Sequence, residues 1–250
     1  GGLMGSIADK LSKLMETKSA IKSAITAKGV TVSDSDPFSS YAGKIAQIES
    51  GGSGGEDKSV EIVEGTLVNY TGNVTKVRDY AFYHSESLES INLPNALTIG
   101  KFAFQYAENL LSIILPKATN IRNNAFYECG KITSISLPSA TEIGNSAYRN
   151  CKNLTIVDLG AASEISNNAF QGCSVLKTFI IRSENVCSLA STTVFYNGPL
   201  YSGEGYFYVP KMLVDTYKSA TNWTKYADQF RAIEDYPDIV NIIATMEVAA

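Results

Sequence analysis

Apolar residues through the middle of this chain recur at a fixed interval of 22 positions. Phe82, Phe104, Phe126, Tyr148 and Phe170 are each 22 residues apart, and so are Val77, Ile99, Ile121, Ile143 and Ile165. A third column runs through Leu88, Leu110, Ile132, Leu154 and Leu176. A period of that length predicts a solenoid, in which each unit buries its apolar face only by stacking on its neighbours. Within a unit the pattern is that of a strand. In Leu110-x-x-Ile113-x-Leu115-Pro116, alternation turns Ile113 and Leu115 inward and leaves Ser112 and Ile114 outward. Pro116 ends the strand, since it has no N–H to donate to a continuing ladder. Ile99 is expected to plug the far wall, and Ala103-Phe104 to sit on a helical turn whose ring fills the space between. The alanines at 81, 103, 125, 147 and 169 let that turn approach its neighbours closely.

The same reading divides the chain. Residues 1–49 carry helical spacing, with Leu3, Ile7, Leu11, Leu14 and Met15 followed by Ala20, Ile21, Ala24 and Ile25 up to a C-cap at Lys28-Gly29. Phe38, Tyr41, Ala42, Ile45 and Ile48 mark a second helix. So small a unit has a meagre core, and its stripe reads equally as two helices covering each other or as a surface for self-association or docking. Residues 50–57 are a Gly/Ser linker. Residues 58–209 are the solenoid, with five clear repeats over 74–182. Val60, Ile62 and Leu67 are expected to open it as a strand or hairpin. Its sixth repeat is degenerate, with Cys187 in the isoleucine column and Val194-Phe195 displaced by three residues. Residues 210–250 form a C-terminal cap, in which Lys211 to Ser219 and Asn222 to Phe230 read as helices. The apolar tail Ile239 to Val248 is ambiguous.

Composition and charge narrow the function. The chain has 250 residues, 44% hydrophobic and 18% charged, with a net charge of −4. No Lys/Arg stripe exists to neutralise phosphates, so nucleic acid is not expected as a partner. No stretch approaches the roughly 18 apolar residues of a membrane span. The N-terminus has no basic, apolar and small-residue succession of a signal peptide, and its leading glycine reads as the remnant of a trimmed tag.

Catalytic and metal chemistry finds no foothold. The one histidine, His84, shares its column with Tyr106, Glu128, Asn150 and Gly172, which marks a variable surface position rather than a general base. There is no Cys-x-x-Cys pair, no phosphate-cradling glycine loop and no nucleophile elbow. No enzyme activity, metal or cofactor is expected. Cys129, Cys151 and Cys173 form one column three residues after the aromatic. Stacked rungs would bring them to about 5 Å, within disulfide range, but with parallel side chains, which favours buried reduced thiols.

The candidate binding residues are the outward strand positions. They make two columns, Ser90, Ser112, Ser134, Ile156, Thr178 and Tyr206, and Asn92, Ile114, Ser136, Asp158, Ile180 and Tyr208. One reading is that both columns are a solvated sheet face that merely tolerates such residues; the functional alternative lies at the apolar end. Ile156, Ile180, Tyr206 and Tyr208 read as an exposed apolar contact patch, overhung by the repeat-breaking loop from Tyr196 to Tyr206.

The rung L-x-x-I-x-L-P followed by I-G-x-x-A-F-x-x-C resembles the leucine-rich repeats of the BspA-like bacterial subfamily. Ile99-Gly100 with Ala103-Phe104, Ala125-Phe126-x-x-Cys129 and Ile143-Gly144 with Ala147-Tyr148-x-x-Cys151 carry the likeness. One departure is alanine at 96, 118, 140 and 162, where a buried asparagine ladder is usual in leucine-rich repeats, so these turns must satisfy their backbone otherwise. The resemblance implies an α/β repeat solenoid, flanked by the helical N-terminal module and helical C-terminal cap read from the spacing above. It further implies non-catalytic adhesion or recognition at a bacterial surface, with a protein or glycan ligand. Ala20-Ile21-Lys22-Ser23-Ala24-Ile25 through Lys28-Gly29-Val30, Pro37-Phe38, Tyr41-Ala42 and Ile45 resemble helical modules of phage and prophage tail-region proteins. That likeness implies the alternative of a virion appendage, which oligomerises or docks through residues 1–49. A purely structural spacer is the third reading.

Overall fold

The computed structural model describes residues 69–249. The helical module 1–49, the linker and the opening strand expected at Val60, Ile62 and Leu67 lie outside the described residues. Each rung contributes two short strands. The longer ones are β1 (Asn69–Thr71), β3 (Ser90–Asn92), β5 (Ser112–Ile114), β7 (Ser134–Leu137), β9 (Ile156–Leu159), β11 (Thr178–Ile181), β13 (Tyr206–Val209) and β14 (Phe230–Ala232). The two-residue strands are β2 (Lys76–Val77), β4 (Thr98–Ile99), β6 (Asn120–Ile121), β8 (Glu142–Ile143), β10 (Glu164–Ile165) and β12 (Ser188–Leu189). The short strands form one parallel six-stranded sheet, and the long ones form β1-β3-β5 and β7-β9-β11-β13-β14, with β5 beside β7.

Between the two walls runs a spine of stacked rings. Phe82 and Phe104 lie 4.6 Å apart, Phe104 and Phe126 5.0 Å, Phe126 and Tyr148 5.0 Å, Tyr148 and Phe170 5.5 Å, all near-parallel. Each ring is at most 1% exposed, so the period-22 column is the core itself. The rings are carried by reverse turns rather than by the expected helical turn. Gln105 N–H donates to Phe102 at 3.2 Å and Ala107 N–H to Phe104 at 3.0 Å, each an i to i+3 bond. Residues 80 and 84, and their counterparts one rung on at 102 and 106, have positive φ, which no right-handed helix tolerates. The turn backbone instead bonds to the next rung, as when Phe104 N–H donates to Ala125 at 2.7 Å and Phe126 N–H to Ala147 at 2.7 Å.

The alanine corners solve the missing asparagine ladder in the same way. Ala118 N–H closes onto Leu115 at 3.2 Å, and Thr119 donates twice to Leu97 of the rung before, through N–H at 2.9 Å and through Oγ1 at 3.1 Å. Thr141 and Ser163 repeat the device. The cysteine column is made of free thiols, with Cys129, Cys151 and Cys173 Sγ donating to the carbonyls of Phe104, Phe126 and Tyr148. Gly160 is required by close approach, since a Cβ there would lie 2.1 Å from the Pro138 carbonyl oxygen.

Two details depart from the sequence reading. Leu189, not Cys187, pairs with Ile165 and takes the isoleucine column. The sixth rung is lengthened before β12, which displaces both Leu189 and the ring of Phe195, still stacked on Phe170 at 5.9 Å. The segment expected to be helical up to Phe230 is a 3-10 turn over Thr224–Gln229, and Phe230 then opens β14. It pairs with β13 because the solenoid's exposed edge offers a ladder there. The tail is a helix. With α1 (Pro199–Ser202) and α2 (Val214–Ser219) numbered before it, this is α3 (Pro237–Ala249). The open end of the core is plugged by Phe207, Tyr217, Trp223, Tyr226 and Phe230, whose polar atoms find partners. Trp223 Nε1 donates to Cys187 at 2.7 Å and Tyr226 Oη to Thr192 at 2.6 Å.

Candidate binding face

The strand pairing sets the outward residues in two in-register columns. Ser90 pairs with Ser112, Ser134 with Ile156, Ile156 with Thr178, and Thr178 with Tyr206. Asn92 pairs with Ile114, Ser136 with Asp158, Asp158 with Ile180, and Ile180 with Tyr208. Alternation brought these residues to one face because their neighbours Ile91, Ile135, Val157, Phe179 and Phe207 all go into the core.

The face is not open along its length. Ser112 and Ser134 are exposed, and Ile114 and Ser136 are half-buried. Asp158 and Ile180 are fully buried and Tyr208 is 8% exposed, so the expected sticky patch is covered. The cover is α3. Its Ile239, Ile242 and Ile243 pack on Ile180, Tyr208, Ile156 and Ile233, forming a small cluster separate from the ring spine. Burying apolar surface that the strands leave outside the main core drives this docking. Further along, Met246 borders the groove lined by Leu111, Ser112, Ile114, Ser134 and Ser136. A second, apolar groove of about 310 Å3 lies between Ser134 and Ile156 and the helix residues Asn241, Ile242, Thr245 and Met246. The helix thus crosses the face from its C-terminal end and stops beside β5 and β7.

Two residues at the covered end have specific partners. Asp158 accepts two bonds from Arg182, Nε to Oδ1 at 2.9 Å and Nη2 to Oδ2 at 3.0 Å, which satisfies a carboxylate that burial alone would penalise. Tyr206 remains 44% exposed, with the Arg231 guanidinium 4.4 Å from its ring centroid. The loop before it is tied down rather than free. Gln229 Nε2 donates to Leu200 at 3.0 Å and to Gly205 at 2.9 Å, and Leu200 is buried.

The signal for the cover was present in the sequence as Ile239, Ile242, Ile243 and Met246, an i, i+3, i+4, i+7 stripe of the kind that covers an apolar patch. Among the described residues no group of three His, Cys, Asp or Glu could hold a metal ion. No helix among them is long and apolar enough to cross a membrane. The thiols are held protonated. Burial pushes Cys173 and Cys187 up to about 12, and raises Cys129 and Cys151 further.

The sequence pattern of the BspA type leucine rich repeat region matches residues 75–200 in 6 copies, half of the chain. The chain belongs to the BspA-type leucine-rich-repeat family. A comparison with curated protein sequences finds no match. Among solved structures, the BspA-type solenoid is similar to the pneumococcal vaccine antigen PcpA, at 16% identity and TM-score 0.53, over 70% of this chain and 42% of that one. It is also similar to a leucine rich cell surface protein of Faecalibacterium prausnitzii, at 22% identity and TM-score 0.48, over 57% of this chain and 39% of that one. The leucine rich repeat protein of T. pallidum matches at 23% identity and TM-score 0.45, over 69% of this chain and 89% of that one. The chain spans about two fifths of the length of the first two. The similarity to PcpA is one of fold.

Proposed function

We propose that this BspA-type protein is a non-catalytic recognition protein of a bacterial surface, which holds a protein or glycan ligand on its long-strand face. The observation that supports the reading is the face itself. Polar and aliphatic side chains stand there in two registered columns, open over β5 and β7 at Ser112 and Ser134, with half-buried Ser136 and a groove beside them. A flat array of that kind offers many weak contacts at fixed spacing, which suits adhesion better than chemistry on a small substrate. The F. prausnitzii relative is a cell surface protein, and a surface location belongs to the same proposal.

The test is adhesion of the labelled full chain to epithelial cells, matrix proteins and bacterial cells, set against the Ser112→Lys/Ser134→Lys double variant. Both serines are exposed, so the fold should survive the change. The reading expects loss of adhesion with an unchanged Tm. Adhesion that is the same for both chains would refute it.

A further inference from the structure

A second feature, on the turn edge of the first rungs, has no place in that reading. The left-handed turn positions are filled in later rungs by Asn124, Ser146 and Asn168 in one column and by Glu128, Asn150 and Gly172 in the other. Gly, Asn, Asp and His tolerate positive φ best, and bulky side chains such as Tyr and Phe are outliers there. The first two rungs nevertheless place aromatic rings at these positions, with φ of 62° at Tyr80, 55° at His84, 59° at Phe102 and 62° at Tyr106. The rings do not serve the core. Tyr80 is 55% exposed, and the adjoining Tyr83 is 42% exposed.

Together they form a continuous surface row. Tyr80 stacks on Phe102 at 4.8 Å and 12°, Tyr83 meets Tyr80 at 5.6 Å and Tyr106 at 5.9 Å, and His84 lies 4.5 Å from Tyr106. Tyr106 continues to Tyr127 at 5.7 Å. Backbone strain kept at an exposed aromatic row is the kind of outlier that points to a binding role.

The chain itself shows which chemistry suits such rings. Three of its other tyrosines carry a cation of the same chain, while the exposed Tyr196 and Tyr236 carry none among the described residues. Lys225 Nζ lies 4.0 Å from the Tyr201 centroid, Arg231 4.4 Å from Tyr206, and Arg149 5.8 Å from Tyr127 at the far end of the row. Among the described residues, no Lys or Arg lies over Tyr80, Tyr83 or Tyr106. Exposed carboxylates stand close to the row in sequence. Glu86 and Glu108 each follow two residues after His84 and Tyr106, and neither is in an ion pair among the described residues. Negative ring faces beside carboxylates with no cation of their own complement positive charge.

We propose that this row binds a basic peptide segment, whose Lys and Arg side chains lie over the Tyr80, Tyr83 and Tyr106 rings beside Glu86 and Glu108. The site is on the turn edge and is independent of the strand face.

The test titrates the full chain at low ionic strength with an acetylated Lys-Gly-Arg-Gly repeat peptide, and separately with its Glu-for-Lys/Arg counterpart and a neutral glucose hexasaccharide. Binding should be confined to the basic peptide. The Tyr80→Asn/Tyr106→Asn variant keeps the net charge and installs the residue type that later rungs use at the same φ. It should weaken binding by roughly tenfold, the worth of two cation–ring contacts, with a Tm equal to or above that of the parent. Glu86→Gln/Glu108→Gln should weaken binding as well, again without a change in Tm. Undiminished binding by the asparagine variant would overturn the proposal, because the attraction would then be net charge alone. So would a collapse of its Tm, which would make the rings structural, and so would capture of the hexasaccharide in place of the peptide.

Discussion

Replacing Tyr148 by Phe should make the protein more stable. Tyr148 is the one tyrosine in a spine otherwise built of Phe82, Phe104, Phe126 and Phe170, and it is fully buried. Its ring stacks on Phe126 at 5.0 Å and 4° and on Phe170 at 5.5 Å and 5°, so a phenylalanine ring fits the same slot. Its hydroxyl has no hydrogen-bond partner among the described residues. Burial raises its ionisation well above the ordinary phenol value, so the group stays neutral and unpaired in the folded state. A buried hydroxyl without a partner costs about 1–3 kcal/mol of desolvation, and removing it forfeits nothing but a few dispersion contacts. The expected gain is about 1–2 kcal/mol, or roughly 2–8 °C in Tm for a domain of this size. The complementary variant, Phe126→Tyr, places a second hydroxyl one rung away and should cost a similar amount. Calorimetry of the three chains decides it. A lower Tm for Tyr148→Phe would refute the reasoning, since it would mean that the hydroxyl is satisfied within the folded protein.

Other perturbations address the cover, the close approaches and the thiols. Ile239→Asp should free α3 while leaving the ring spine folded, because the cluster it belongs to is separate. Hydrogen exchange over residues 237–249 should then quicken roughly 30-fold or more, with rates in the spine unchanged. Gly160→Ala drives a Cβ into the Pro138 carbonyl and should cost about 1–3 kcal/mol by denaturant midpoint, since only backbone movement can relieve the overlap. The four buried thiols should resist thiol reagents at pH 8 in the native chain and react at once on denaturation. Because the folded values are raised, the unfolded chain loses its thiol protons first. The stability tied to Cys173 and Cys187 is full below pH 9 and falls progressively between pH 9 and about 12, at about 1.4 kcal/mol per pH unit for each ionising group. Constant stability across that window would contradict their burial.

The solenoid was legible because a stacked repeat converts sequence period directly into structural translation. The columns at Phe104 and Ile121 became, residue for residue, the spine and the short-strand wall, and the Leu110 column is buried just ahead of each long strand. The outward register of Ser112, Ser134 and Ile156 followed from strand alternation alone. What escaped were features set by tertiary contact or backbone conformation. Cys187 keeps the arithmetic of 22, but the lengthened sixth rung hands its place to Leu189. Phe230 ends a helical-looking run, yet the free edge of β13 recruits it as a strand. The spacing of Ile239, Ile242 and Ile243 is helical, but only docking shows that they conceal Ile180 and Tyr208. The positive φ of Tyr80 and Phe102 leaves no local trace except that asparagine or serine fills the same column downstream.

The central claim is that the long-strand face receives the ligand, and blocking one face at a time tests it most directly. Ser134→Cys and Ser188→Cys introduce exposed thiols on the long-strand and short-strand sheets, while the native cysteines stay buried. Each chain is coupled to a bulky maleimide and assayed for adhesion on the same panel of cells and matrix proteins. The account predicts that coupling at 134 abolishes adhesion and coupling at 188 leaves it intact. Adhesion lost equally at both positions, or lost only at 188, would contradict it.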